Sequence, residues 1–314
     1  TSRTVRYTYD VTGNNTCITT PSGTVNYTYD GRNRLDRVIQ NGITLADYDH
    51  NAVNNLTQTT FSNGTQEIRQ YDLLNRLTYL ENQKGNMVLS SYTYTLDKTG
   101  NRTQITEKDG RTSNYIYDNL YRLTEEKITD PFSGNRTTNY FYDKVGNRLG
   151  QTETVGNLTQ TTTYGYDANN RLLTETSNGQ ETNFIYDNNG NTLNKQDSNG
   201  ATFYTWNDEG RLTQAIDKDP NENTLHQMGY RYNSNGIRVA ATTDGQETLY
   251  LIDDSQAYAQ VLEEYNNAGT VQVSYVYGND LINQTRDNVT AFYLVDGLGS
   301  TRLLTDVQGN VLNT

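Results

Sequence analysis

The chain has 314 residues, with 25 Lys and Arg against 37 Asp and Glu, a formal charge of −12. Only 33% of residues are hydrophobic and 26 of those are Tyr, while 48 Thr and 40 Asn fill much of the rest. Acidity on this scale argues against a nucleic-acid partner, no stretch approaches the roughly 18 apolar residues of a membrane span, and Cys17, His50 and His226 are too isolated to suggest a metal site.

A disordered chain would be poor in aromatic and β-branched residues. Tyr and Thr instead favour a pleated, half-buried surface, so the composition predicts all-β structure. The start lacks a basic region followed by an apolar run, and no signal peptide is expected in this chain.

A repeat organises the sequence from its beginning. Tyr7-Thr8-Tyr9-Asp10 leads into Gly13-Asn14, and Tyr27-Thr28-Tyr29-Asp30 leads into Asn33-Arg34-Leu35. A shorter version at Tyr48-Asp49 leads to Asn54-Asn55-Leu56, and Tyr71-Asp72 leads to Asn75-Arg76-Leu77. Tyr92-Thr93-Tyr94, with Asp97, precedes Gly100-Asn101-Arg102, and Tyr115-Ile116-Tyr117-Asp118 precedes Tyr121-Arg122-Leu123. Tyr140-Phe141-Tyr142-Asp143 continues to Gly146-Asn147-Arg148, and Tyr164-Gly165-Tyr166-Asp167 to Asn170-Arg171-Leu172. The series ends with Phe184-Ile185-Tyr186-Asp187, Tyr204-Thr205-Trp206-Asn207 and Tyr230-Arg231-Tyr232-Asn233.

Each unit reads as two antiparallel strands and two turns. The rings of Tyr-x-Tyr share one face of a strand. Asp at the strand end bonds backbone amides just beyond it and starts a turn. Gly or Asn three residues later suits positive φ. A second turn often carries Asn-Gly or a related pair, as at Asn41-Gly42, Asn63-Gly64, Asn178-Gly179, Asn199-Gly200 and Asp244-Gly245, the best short-range hairpin signal.

The repeat fills residues 1–250, and residues 251–314 form a less regular end that keeps strand character. Asp217 to Leu225 reads as a polar surface loop. Units stacked side by side would span about 100 Å at roughly 4.8 Å per strand. An open sheet that wide is expected to curl or split, to pair with another chain, or to belong to a longer protein.

The repeated Asp residues are not expected to be paired catalytic carboxylates, because an active site is normally built once. The pattern nearest to a calcium loop, Asp187-Asn188-Asn189-Gly190-Asn191, lacks a closing Glu. Gly297-Leu298-Gly299-Ser300-Thr301 does not match the Gly-x-Ser-x-Gly turn of a serine nucleophile and reads as a tight turn. No cofactor is expected. Rows of Tyr and Asn make carbohydrate a possible partner.

These units, with their Gly-Asn-Arg and Arg-Leu continuations, resemble the YD repeats of the Rhs family, which also occur in bacterial wall-associated proteins, Tc toxin C components and teneurins. The segment Asp296-Gly297-Leu298-Gly299-Ser300-Thr301-Arg302, with Asp306 after it, is similar to the one that ends the Rhs core. The resemblance implies a β-strip that spirals into part of a hollow shell and encloses or presents a C-terminal, toxin-like polypeptide. It implies a non-enzymatic role, with Tyr9, Asp10, Tyr29, Asp30, Tyr71, Asp72, Tyr117, Asp118, Tyr142, Asp143, Tyr166, Asp167, Tyr186 and Asp187 as repeat residues. It implies a bacterial, secreted or cell-surface protein whose partners are cargo or flanking shell segments. The chain stops before the Asp-Pro-x-Gly motif of the family's self-cleaving region. The competing expectation is a self-associating subunit of an extracellular fibre, sheath or adhesin, since open sheet edges invite pairing.

Overall fold

The computed structural model describes residues 3–313. Among them lie 29 β-strands and no helix, so no helix is long and apolar enough to cross a membrane. The strands form an antiparallel meander in which sequence neighbours pair, as Gly23–Tyr29 with Leu35–Gln40 and Arg136–Tyr142 with Arg148–Val155.

The hairpins follow from the repeat chemistry. At each repeat turn the Asp amide bonds the carbonyl four residues on, and the amide three residues on bonds the Asp carbonyl, as at Asp30 with Arg34 and Asn33. The third position after Asp is left-handed, with φ near 60° at Asn33, Asn75, Asn170 and even Tyr121. The register slips by one residue beside the second ring of each unit, between Thr28 and Tyr29 and again between Phe141 and Tyr142. Such a bulge bends and twists the pair. The x residue of Tyr-x-Tyr faces away from the rings. Ile116, Phe141 and Ile185 are just over half exposed, while the flanking rings are partly buried. The opposite turns at Asn41-Gly42, Asn178-Gly179 and Asp244-Gly245 carry two consecutive positive φ values, the signature of a two-residue hairpin loop.

The chain divides into two compact units. One comprises residues 3–100, Ile105–Lys108 and 249–313; the other comprises Asn101–Gln104 and Asp109–Thr248. These units follow packing, whereas the sequence division at residue 250 follows the regularity of the repeat.

The first unit holds the apolar core. Val38, Leu45, Ala46, Tyr48 and Phe61 from its early strands pack with Val276, Ile282, Phe292, Leu294 and Leu303 from its late ones. Phe61 and Phe292 meet edge to face at 6.3 Å, a favoured aromatic geometry. A smaller cluster joins Leu80, Tyr92 and Tyr94. In the second unit the buried apolar residues are Ile128, Ala215 and Ala240, with Ser113, Thr138 and Thr162 as buried polar ones.

Two local expectations are corrected. The third repeat turns at Asn51, whose side chain accepts the Val53 and Asn55 amides, so His50 takes the ring position and Asp49 is an exposed residue just inside the strand's end. Tyr48, one pleat earlier, is released into the core. In the polar stretch after residue 216, Asp217 and Lys218 end one strand and Thr224 and Leu225 begin the next, so the turn is confined to residues 219–223. Asp219 makes the repeat-type turn there with Asn221 and Asn223.

Candidate functional site

Two structures recur or stand out: a ladder that joins successive repeat turns, and a terminal motif docked within the first unit. The ladder begins with the Asp carboxylate. One oxygen accepts the backbone amides two and four residues on, and the other accepts the side chain four residues on. At Asp30 these donors are Arg32, Arg34 and the Arg34 Nε at 2.7 Å. At Asp72, Asp118 and Asp167 they are the corresponding groups of Leu74 and Arg76, Leu120 and Arg122, and Asn169 and Arg171. At Asp10, Asp143 and Asp187 an Asn amide replaces the guanidinium: Asn14, Asn147 and Asn191. Donors of this kind stabilise the charged carboxylate. The Thr12 and Asn14 side chains hold Asp10 down to about 2, and the Arg34 side chain does the same for Asp30. The Asp187 oxygens are engaged by the Asn189 and Asn191 amides and the Asn191 side chain.

The second ring of a unit reaches back to the unit before it. Tyr29, Tyr71, Tyr117, Tyr142, Tyr166, Tyr186 and Tyr232 each donate their hydroxyl to the backbone carbonyl just beyond the preceding turn, at Asn15, Leu56, Arg102, Leu123, Arg148, Leu172 and Leu212, at 2.7–3.0 Å. Trp206 does the same through Nε1 to Thr192. Tyr9, in the first unit of the series, stacks against Tyr7 instead, with ring centres 6.3 Å apart. The turn Arg reaches forward. Arg34, Arg76, Arg122 and Arg171 donate to the carbonyls of Asn51, Asp97, Asp143 and Asp187 in the following turns. Arg122 and Arg171 also lie over the rings of Tyr142 and Tyr186, a cation–π contact. The Tyr and Asp positions were legible in the sequence. The forward reach of Arg was not, because its partner is a backbone carbonyl without residue identity.

The terminal motif makes two turns of the same design. Asp296 accepts the Leu298 and Ser300 amides, and Gly299 bonds back to it at φ 79°. Asp306 accepts the Gln308 and Asn310 amides and the Asn310 side chain. What differs is the docking. The Gly297 amide donates to the Tyr94 hydroxyl at 2.7 Å. The buried Asn82 side chain donates to the Val295 carbonyl at 2.9 Å. Asn63, also buried, donates to the Thr305 hydroxyl at 3.0 Å and the Asp306 carbonyl at 2.9 Å. Arg302 pairs with Asp296 at 3.1 Å, lies 3.7 Å from Glu107 and covers the Tyr92 ring.

Gly297 is required sterically. A Cβ there would stand 2.6 Å from the Tyr94 hydroxyl and 2.7 Å from Leu77. Asn63, Asn82 and Tyr94 were not foreseen in this role. Asn63 carried only a hairpin signal and Tyr94 only a repeat signal, because docking depends on a contact more than 200 residues away in sequence.

Further polar contacts join early and late strands of the same unit. Tyr7 donates to the buried Asp253 at 2.8 Å, and Arg3 and the Ser22 amide hold the buried Glu263. Glu67 pairs with Arg69 at 2.6 Å, with Asp280 beyond, and burial pushes its carboxyl up to about 7. Among the described residues no group of three or more His, Cys, Asp or Glu is arranged to hold a metal ion. Cys17 is a partly buried strand residue.

A continuous meander of Tyr–Asp hairpins, laddered turn to turn and ended by a docked motif, is the build of a YD-repeat shell wall. The teneurin YD-shell family profile matches residues 90–314, and the chain belongs to that family. It is similar to the tRNA3(Ser)-specific nuclease WapA of Bacillus spizizenii, at 30% identity over 117 residues, 37% of this chain and 5% of that protein. Among solved structures it superposes on a TcdB2–TccC3–TEV crystal structure with a TM-score of 0.76 at 17% identity. It likewise superposes on the Photorhabdus luminescens Tc holotoxin pore with a TM-score of 0.74, also at 17% identity. Each likeness covers 98% of this chain and 17% of the other, and at that identity it is one of fold. The chain therefore spans a small part of the proteins it matches, as a structural segment of a YD shell.

Proposed function

We propose that this segment is a non-enzymatic wall of a secreted or cell-surface protein, and that it encloses or presents a toxin-like C-terminal polypeptide of that protein. The observation that carries the reading is the second unit. Its strands bury few apolar side chains, yet Ile116, Phe141 and Ile185 stand 52–53% exposed on the face opposite the rings, with Leu149, Leu173 and Leu193 exposed at the neighbouring bulges. Apolar side chains exposed together on one face, with Gly165 at the same position between Phe141 and Ile185, support the reading of a surface that meets another polypeptide segment. Flanking shell segments are the other proposed partners. The Asp side chains are committed to turn amides, which supports a mechanical rather than a catalytic role.

Photo-crosslinking in the full-length protein tests this. A benzoylphenylalanine at Phe141 or Ile185 is expected to crosslink to a C-terminal segment of the same polypeptide. Crosslinks found only between separate copies would refute enclosure and favour a fibre. An absence of crosslinks from this face would also refute it.

A further inference from the structure

One buried carboxylate of the first unit is only half used. Asp253 is fully buried. Its Oδ1 accepts the Tyr7 hydroxyl, the Ser255 amide and the Ser255 hydroxyl at 2.6–2.9 Å, and all three donors are neutral. Its Oδ2 is buried as well and has no hydrogen-bond partner among the described residues. A buried charge without a cationic partner is costly.

The same carboxylate stands beside a cavity of about 290 Å³. Asp253 lies directly opposite Gln260 in the strand pairing, and Gln260 lines that cavity with Gln256 and Asn279. Three rings complete the wall: Tyr27, Tyr29 and Tyr277. The field of Asp253 reaches them. Burial first, and then the Asp253 charge, pushes the Tyr27 phenol's pKa upward. No Lys or Arg is among the residues that line the cavity.

This wall selects a ligand by charge. An anion would meet no basic side chain and would face Asp253. An uncharged ligand would leave the carboxylate uncompensated. A cation meets an unpaired negative charge and the negative faces of aromatic rings. Its kind follows from the same residues. A primary ammonium is strongly hydrated and brings three donors that each need an acceptor. A quaternary ammonium brings no donor, and its methyl groups suit ring faces. The neighbouring amides suit a hydroxyl or ester oxygen on the same ligand. The volume lies at the small end of the roughly 300–1,000 Å³ of ligand sites.

We propose that this cavity binds a quaternary ammonium group of the choline type. The proposal stands apart from the enclosure of a second polypeptide, because the cavity lies in the first unit and the exposed apolar row in the second.

Saturation-transfer NMR on the intact chain tests it, with choline as the probe and neohexanol, its neutral carbon isostere, as the control. Transfer is expected from the choline methyl groups and not from neohexanol. Tyr277→Phe keeps the ring face and should leave binding within about 2-fold, whereas Tyr277→Leu should weaken it about 2–30-fold, the range of one cation–π contact. Asp253→Asn keeps the shape, removes the charge and should weaken binding about 3–30-fold. Thermal midpoints check that each variant is folded, and the comparison of choline with neohexanol needs no variant. Vesicles of phosphatidylcholine distinguish the sources. Co-sedimentation that choline competes away assigns a lipid headgroup, and choline binding without co-sedimentation assigns a free small molecule; either supports the proposal. Absence of transfer from choline overturns it. So does equal transfer from neohexanol, or choline binding unchanged in folded Asp253→Asn and Tyr277→Leu proteins.

Discussion

Gly297→Ala is the sharpest test of the docked motif. Gly297 has no left-handed backbone, so an Ala there is conformationally allowed and the obstacle is space alone. The new methyl would lie 2.6 Å from the Tyr94 hydroxyl and 2.7 Å from both Tyr94 Cζ and Leu77 Cδ2. Tyr94 is only 4% exposed, so its ring has little room to withdraw. Overpacking a site of this kind costs about 1–3 kcal/mol. Moving the ring also breaks the 2.7 Å bond from the Gly297 amide, worth about 0.5–1.5 kcal/mol. The sum is about 1.5–4.5 kcal/mol. With a urea slope of about 1–3 kcal/mol/M, the unfolding midpoint of the first unit should fall by about 0.5 M or more. Circular dichroism would follow that transition, while Trp206, the sole Trp, reports the second unit and should keep its midpoint. Gly299→Ala is the control. Nothing lies within 4 Å of a Cβ there, and its φ of 79° predicts only about 1–2 kcal/mol from backbone strain. A Gly297→Ala protein within about 0.5 kcal/mol of the parent would refute tight docking of the motif on Tyr94.

The ladder makes its own predictions. Tyr142→Phe removes the 2.8 Å bond to the Leu123 carbonyl and should cost about 1 kcal/mol by urea denaturation; a neutral result would mean water replaces the hydroxyl freely. Arg122→Lys keeps the charge but loses the guanidinium contacts to the Asp118 carboxylate and the Asp143 backbone carbonyl and the stacking on Tyr142. It should cost about 1–2 kcal/mol, so a Lys variant equal to the parent would contradict the geometry. Acid should weaken the turns. Asp10 and Asp30 hold their protons less tightly when folded, so their stabilisation is complete above the ordinary 3.8 and is lost as pH falls through about 2. Glu67 has the opposite sign. Its stabilisation is complete below the ordinary 4.5 and is lost as pH rises through about 7, so Glu67→Gln should flatten a plot of urea midpoint against pH between those values.

The fold was legible because the repeat is local. Tyr-x-Tyr, Asp and the following Gly or Asn encode a hairpin within about ten residues, and the bonds at Asp30, Asp118 and Asp167 are those the residue types suggest. The third repeat was misplaced by two residues because Tyr48-Asp49 looks like the motif, while the residues that make the turn, His50 and Asn51, do not. Only the side-chain acceptor of Asn51 and the alternation that buries Tyr48 separate the two registers. The docking of the terminal motif was not legible at all. Asn63, Asn82 and Tyr94 carry no signature that distinguishes them from their counterparts in other repeats. Their partners are the carbonyls of Val295 and Asp306, the Thr305 hydroxyl and the amide of Gly297, all distant in sequence.

The two units should therefore fail differently under one kind of substitution. In the second unit, Asp143 accepts the amides of Val145, Gly146 and Asn147 at 2.7–2.9 Å, and the Asn147 side chain at 2.9 Å. Little apolar burial supports the strands on either side, Arg136–Tyr142 and Arg148–Val155. Asp143→Ala removes the turn's organising acceptor where nothing else fixes the hairpin, and local opening follows the weakest contacts. In the first unit, Asp72→Ala removes an equivalent acceptor. The preceding strand, Thr65–Tyr71, still has Thr65 and Glu67 buried, and its turn is followed by Leu77–Lys84, which buries Leu80 and Asn82. Amide hydrogen exchange should accelerate sharply in the strands flanking Asp143 and change little in those flanking Asp72. Equal acceleration at both sites would mean that packing contributes nothing to holding a repeat, and that the turns alone carry both units.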